Sequence, residues 1–233
     1  ARYCSAVCLR GAAASYHAPL CPASMPSSQS RNVQALEELF AELPSVGVAF
    51  AAAARLLAMA TREAAEEEEE AAEEEAAPAP VGLELWSLLE GLAGAPWWQT
   101  VGFDSEVQLE EARAVTGRAL ALLEAILPAR PPLRGLGVEG LARLVGRVRM
   151  NAVEVRATAE REDGEEDKVP APEPVSGIAL HLVLSAANHS CAPSCAVQTA
   201  LPGLPGWAIL QASRALSEGE ELTIAYLPPA PDR

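Results

Sequence analysis

From Asn32 to about Glu75 the apolar and polar positions alternate with helical spacing, broken once at Pro44. The stretch AAPAP (residues 76–80) ends that pattern, because proline lacks an amide donor and restricts the residue before it. A second helical block runs from about Gly82 to Gly94 and a third from Asp104 to about Leu127. In the third, Ser105 and Gln108 have the spacing of a capping box. PARPPLRG then makes a stiff connector, and Val138 to about Met150 reads as another helix. Beyond residues 158–174 the pattern shortens. Apolar runs at 177–187, 195–201, 207–213 and 221–227 are separated by turn signals such as LPGLPG and LSEGE, which predicts strands. A helical middle followed by a β-rich end is an α+β organisation, and no internal repeat is evident.

Composition changes this picture in two places. The 233 residues suffice for one large domain or two small ones. Hydrophobic residues make up 50% of the chain but aromatic ones only 4%, so the core must be built largely from Ala, Leu and Val. The formal charge is −15. It is concentrated in the acid-rich tracts 63–75 and 154–167, a pattern typical of solvated segments. No basic stripe balances those acids, so direct binding to a nucleic-acid backbone is not expected. The most apolar run, GVAFAAAARLLAMA, carries Arg55 and falls short of the roughly 18–20 apolar residues of a membrane span. No membrane partner is therefore expected. Five cysteines without a visible secretory signal point to a reducing compartment, where cysteines act as thiols or metal ligands.

Cysteine and histidine cluster twice. At the start, Cys4 and Cys8 are followed by His17 and Cys21, a C-x3-C and an H-x3-C pair. Zinc takes about four such ligands in a tetrahedron, so these are candidate ligands; ordinary buried thiols are the alternative. Later, NHSCAPSC (residues 188–195) lies between two apolar runs and could be a turn, a metal knuckle or a ligand-binding loop.

The segment YCSAVCLRGAAASYHAPLC resembles the back half of a MYND zinc finger, although Pro19 departs from the family's helical setting. The resemblance implies two interleaved zinc ions, with Cys4 and Cys8 on one and His17 and Cys21 on the other. The remaining ligands would precede this chain, which starts at Ala1 and so is expected to be part of a longer protein. NHSCAP resembles the N-H-S-C-x-P-N signature of SET-domain lysine methyltransferases, with Ser194 standing where the family has Asn. GEELTIAY (residues 219–226) resembles that family's second signature. Both signatures behind a MYND-like end are similar to the SET-and-MYND family, a resemblance that covers residues 1–24 and 175–227 well and the middle only loosely.

The resemblance implies a knot-like SET β-fold of which this chain holds the C-terminal part. It implies a partial finger at 1–24, a helical insert with an acidic linker at 25–150, and the SET segment at 151–233. It also implies methyl transfer from S-adenosylmethionine to a lysine of a histone or other protein, with zinc as a second cofactor. Tyr226 would be catalytic. Asn188, His189, Ser185 and, from the segment RMNAV, Asn151 would contact the cofactor, and Cys191 would ligate a third zinc. A proline-rich peptide is a further partner implied for the finger, and cytoplasm or nucleus the location. Without a glycine-rich strand upstream, this chain is expected to be inactive by itself. The competing reading is a non-catalytic scaffold that binds partner proteins. From the residues themselves, Glu220 and Glu221 read as turn acids, His181 as a satisfied core histidine, and Trp97–Trp98 as packing of the insert.

Overall fold

A computed structural model describes residues 6–43, 45–74, 83–103, 105–157, 175–199 and 207–226. The chain divides into two compact units, Ala1–Asn151 and Ala152–Arg233.

The first unit is helical. α1 (Ala6–Ala12) widens into a π-turn (Ala13–His17) and then tightens into 3-10 turns at Ala18–Leu20 and Pro22–Ser24. Pro19 sits at the start of the first 3-10 turn, where its missing N–H costs nothing. α2 (Ser27–Ala41) begins five residues before the expected start, because Pro26 at its N-cap fixes the entry. α3 (Gly47–Glu74) follows, and the break expected at Pro44 falls on a residue outside the described ones, as does the AAPAP stop. The turn between them is tight: the Gly47 amide donates to Leu43 O at 2.6 Å, and a Cβ at Gly47 would lie 2.0 Å from Phe40 O. α4 (Leu83–Gly91), α5 (Trp97–Thr100), α6 (Glu106–Ile126) and α7 (Gly137–Asn151) complete the unit. Ser105 caps α6 as its spacing predicted, its hydroxyl oxygen accepting from the Gln108 amide at 3.3 Å.

Its core follows the composition. α3 buries Ala49, Ala53, Ala54, Leu57, Ala58, Ala60 and Ala64 beside Phe50 and Thr61, so its packing face is rich in methyl groups, and it lies against α7. α7 in turn buries Leu141, Leu144, Val145 and Val148. Gly146 brings the α7 backbone against the segment before α5; a Cβ there would meet Ala95 O at 1.8 Å. The few aromatic residues are pooled around Trp97, which makes edge contacts with Phe50 at 5.8 Å, Phe103 at 5.6 Å and Trp98 at 6.0 Å. Phe40 stacks on Phe50, so all three phenylalanines of the chain join this cluster. The Trp97 indole N–H donates to buried Thr116 Oγ1 at 2.9 Å, so this buried donor is satisfied. Trp97 and Trp98 are buried, as expected of packing residues. Arg149 ties the unit together, reaching Thr100 Oγ1 at 2.9 Å and Ser45 O at 2.6 Å.

Among the described residues, the second unit is built of three two-stranded sheets. β1 (Ala152–Ala157) runs antiparallel to β2 (Val175–Leu180), with Ala152 opposite Leu180 and Ala157 opposite Val175. β4 (Cys195–Gln198) runs antiparallel to β5 (Ile209–Ala212). β3 (Asn188–His189) runs parallel to β6 (Thr223–Ile224). Leu184, Ala187, Cys195 and Ile224 form the buried core, with Val153, Val197, Ala208, Leu210 and Leu216 against it. Mixed helices and small sheets agree with the α+β expectation. The strand expected over 177–187 is shorter than its apolar run. It ends at Leu180, and a 3-10 turn at Leu184–Ala186 buries Leu184 while leaving Val183 90% exposed. His181 also differs from expectation, since its buried Nε2 has no hydrogen-bond partner among the described residues. No helix among the described residues is long and apolar enough to cross a membrane.

Two glycines test the helical unit with opposite signs. Gly146→Ala must displace Ala95 or α7 and should destabilise by about 1–3 kcal/mol. Gly117→Ala in mid-α6, where the nearest atom to a new Cβ is 3.8 Å away, should stabilise by up to about 1 kcal/mol. Urea unfolding followed by far-UV circular dichroism distinguishes the two; a stabilised Gly146→Ala would contradict this packing.

Candidate functional site

The parallel pair β3–β6 joins segments more than thirty residues apart, with Asn188 opposite Thr223 and His189 opposite Ile224. The Ser190 amide extends the pairing by donating to Ile224 O at 3.0 Å. Ser194, only 2% exposed, locks it from behind. Its Oγ accepts from the Thr223 amide at 2.9 Å and donates to Glu221 O at 3.2 Å, while its own amide donates to Thr223 Oγ1 at 3.1 Å. Its carbonyl accepts from the Ser213 amide at 2.9 Å, which extends the β4–β5 ladder. The two sequence motifs at 188–195 and 219–226 are therefore one structural element, as the resemblance to the SET family implied.

Asn188, His189 and Tyr226 are exposed along this pair, with Tyr226 58% accessible. The Asn188 side-chain amide donates from Nδ2 to Glu221 Oε1 at 2.6 Å. The His189 ring lies 5.3 Å from the Tyr226 ring, and its Nδ1 accepts the Tyr226 backbone N–H at 3.1 Å. An accepting Nδ1 places the proton of a neutral imidazole on Nε2, which faces Cys191 Sγ at 3.5 Å. The Tyr226 hydroxyl donates to Ala187 O at 2.7 Å. Having spent its proton there, the phenolic oxygen is left to act as an acceptor.

The turn leading into the second motif is closed separately. Gly219, at φ +80°, takes a backbone conformation that other residues rarely adopt. Glu220 bridges Arg214 and also accepts the Ser217 amide at 3.1 Å. The hydrogen bond from Arg214, then that from Ser217, hold the Glu220 carboxyl below its ordinary value, and the same Arg214–Glu220 bond raises the guanidinium. Glu220 thus serves the turn, as the sequence suggested.

The other expected site residues lie elsewhere. Ser185 is half-buried in the 3-10 turn just before β3, its amide donating to His181 O at 2.8 Å. Asn151 ends α7 in the helical unit, its Nδ2 donating to Ala93 O at 2.8 Å and Arg147 O at 2.7 Å. Cys4 and the side chain of Cys8 lie outside the described residues. His17 and Cys21 line one cavity of about 510 Å³ together with Tyr16, Phe40 and Arg55. Among the described residues no group of three or more His, Cys, Asp or Glu side chains is placed to hold a metal ion. Sequence reasoning missed two contributors. Ser194 was visible only as a departure from a motif, and Glu221 only as a turn acid, because neither partner is near in sequence.

One family model matches the chain, described as SET domain, over residues 58–227. Neither the curated proteins nor the solved structures compared with the chain give a match.

Ser194→Ala removes the acceptor of the Thr223 amide and the donor to Glu221 O inside a buried joint, and should cost about 1–3 kcal/mol. Native-state amide exchange should show faster exchange at Thr223 and Ser190 with α6 unaffected. Unchanged protection at both amides would show that the hydroxyl does not hold the pair.

Proposed function

The chain belongs to the SET-domain family, whose members are in general S-adenosylmethionine-dependent lysine methyltransferases, and from that premise we propose that it takes part in protein-lysine methylation. The observation that supports this most directly is the parallel β3–β6 pair, which sets Asn188 and His189 beside Tyr226. An exposed amide, an exposed strand backbone and a phenol along one short edge suit a polar, elongated cofactor meeting an acceptor amine.

When bound, S-adenosylmethionine supplies a methyl group on a sulfonium, open to in-line displacement by an amine. The protein's task is then alignment and electrostatics, without a covalent intermediate. On this reading Asn188 holds the methionyl part, and the backbone of His189 serves the adenine. The His189 ring meanwhile fixes the Tyr226 backbone. With its hydroxyl proton donated to Ala187 O, Tyr226 presents an oxygen lone pair to an N–H of the incoming amine. That contact turns the amine's own lone pair away from the phenol. An apolar surround would help the lysine lose its proton by disfavouring the charged form.

The finer parts of this reading rest on sequence. A MYND-type finger at 1–24 would pair Cys4 with Cys8 and His17 with Cys21 on two zinc ions and bind a proline-rich peptide. That His17 and Cys21 line one cavity supports this pairing. Cys191 would ligate a third zinc, Ser185 and Asn151 would add cofactor contacts, and the motif at 188–195 would be threaded in a knot-like manner. The Tyr-Cys-Ser-Ala-Val-Cys ending and long helical insert would suit the fifth member of the SET-and-MYND family. The substrate would be a histone or another protein. A scaffold without catalysis is the second reading, favoured by Ser194 standing where the family signature has Asn.

In the full-length protein, Tyr226→Phe should lower methyl transfer at least about a hundredfold while leaving cofactor affinity near normal. Asn188→Ala should weaken cofactor binding itself by about tenfold. Radiolabelled methyl transfer to histone and ribosomal proteins, with calorimetry of S-adenosylmethionine binding, measures both. An intact protein that binds no S-adenosylmethionine would leave the scaffold reading in place.

A further inference from the structure

We infer that Glu221 is a positioning residue, which fixes the orientation of the Asn188 amide and thereby makes the site select ligands that carry an amino-acid end. The inference rests on the reading of Asn188 as a cofactor contact.

The backbone places Glu221 firmly. Its carbonyl accepts from buried Ser194 Oγ, and two residues on, Thr223 is in register with Asn188. Standing two residues before the partner of Asn188 in the pair, Glu221 has its carboxylate within reach of the Asn188 side chain. There it accepts Asn188 Nδ2 at 2.6 Å. An ionised carboxylate can only accept hydrogen bonds, so the amide must turn its NH2 end toward Glu221. The other end, the Oδ1 carbonyl, is thereby turned away as a fixed acceptor.

An acceptor in that position complements one part of the cofactor's amino-acid end and not the other. It can take a hydrogen bond from the ammonium group, whereas the carboxylate offers it nothing. Without Glu221 the amide is free to rotate by half a turn and present a donor instead. Glu221 therefore acts through Asn188, by fixing which of its two faces a ligand meets. Its neighbour Glu220 cannot replace it, being held by Arg214 and the Ser217 amide.

The test compares two ligands that share the adenosyl part, S-adenosylhomocysteine and 5′-methylthioadenosine, of which only the first has the amino-acid end. In the intact protein, Glu221→Ala should weaken S-adenosylhomocysteine about tenfold by calorimetry and leave methylthioadenosine within about twofold. Glu221→Gln should keep both within about threefold, since its amide oxygen still accepts Asn188 Nδ2. The double variant Asn188→Ala, Glu221→Ala should bind no more weakly than Asn188→Ala alone, because the two act as one unit. Equal weakening of both ligands would reveal a general structural role and overturn the inference. So would Glu221→Gln behaving like Glu221→Ala, which would mean direct attraction by charge, or full affinity in Glu221→Ala while Asn188→Ala is weak. If Asn188→Ala itself leaves S-adenosylhomocysteine affinity unchanged, the underlying assignment of Asn188 fails and the inference falls with it.

Discussion

A buried hydroxyl must find partners, and the partners of Ser194 are what hold the second unit in register. Its amide, hydroxyl and carbonyl all bond to segments well away in sequence: Thr223 and Glu221 on one side, Ser213 on the other. The parallel pair β3–β6 is only two residues long on each strand, too short to define its own alignment. Ser194 supplies the missing constraint, because slipping the pair by one residue would strand its hydroxyl without acceptor or donor. The position of Asn188 relative to Tyr226 follows from that alignment. Where the family motif has asparagine, a smaller side chain here both donates and accepts through its single hydroxyl.

The helical unit solves a different problem with scarce material. With few aromatic residues to fill volume, it brings helices together on methyl groups along α3 and on Gly146 in α7. The remaining bulk is pooled in one place, around Trp97. Close approach of this kind depends on the absence of side-chain atoms as much as on their presence, and so it tolerates enlargement poorly.

How much of this could be read in advance depended on how local each cause was. A cap within a few residues of its helix was legible, and Ser105 with Gln108 marked the start of α6. The two motifs were legible as a pair, and their meeting in space was implied by the resemblance to the SET family. The run GIALHLVLSAA misled, because apolar content alone does not reveal that Val183 faces out while Leu184 turns inward to the core. Glu221 could not be assigned from sequence, since its partner lies 33 positions away and a carboxylate after a glycine turn looks solvated. His181 was assigned to the core without its missing partner being foreseeable, for the same reason.

Tyr226 is attached at both ends to residues on either side of Asn188. Its backbone amide is held by the ring of His189, and its hydroxyl by the carbonyl of Ala187. A phenol mounted in this way travels with the strand it is fastened to, so donor-side and acceptor-side geometry form a single mechanical piece. Any shift of residues 187–189 moves both together and preserves their spacing. Substrate preference in such an arrangement has to be tuned from outside the piece, by the walls that bring an amine toward it.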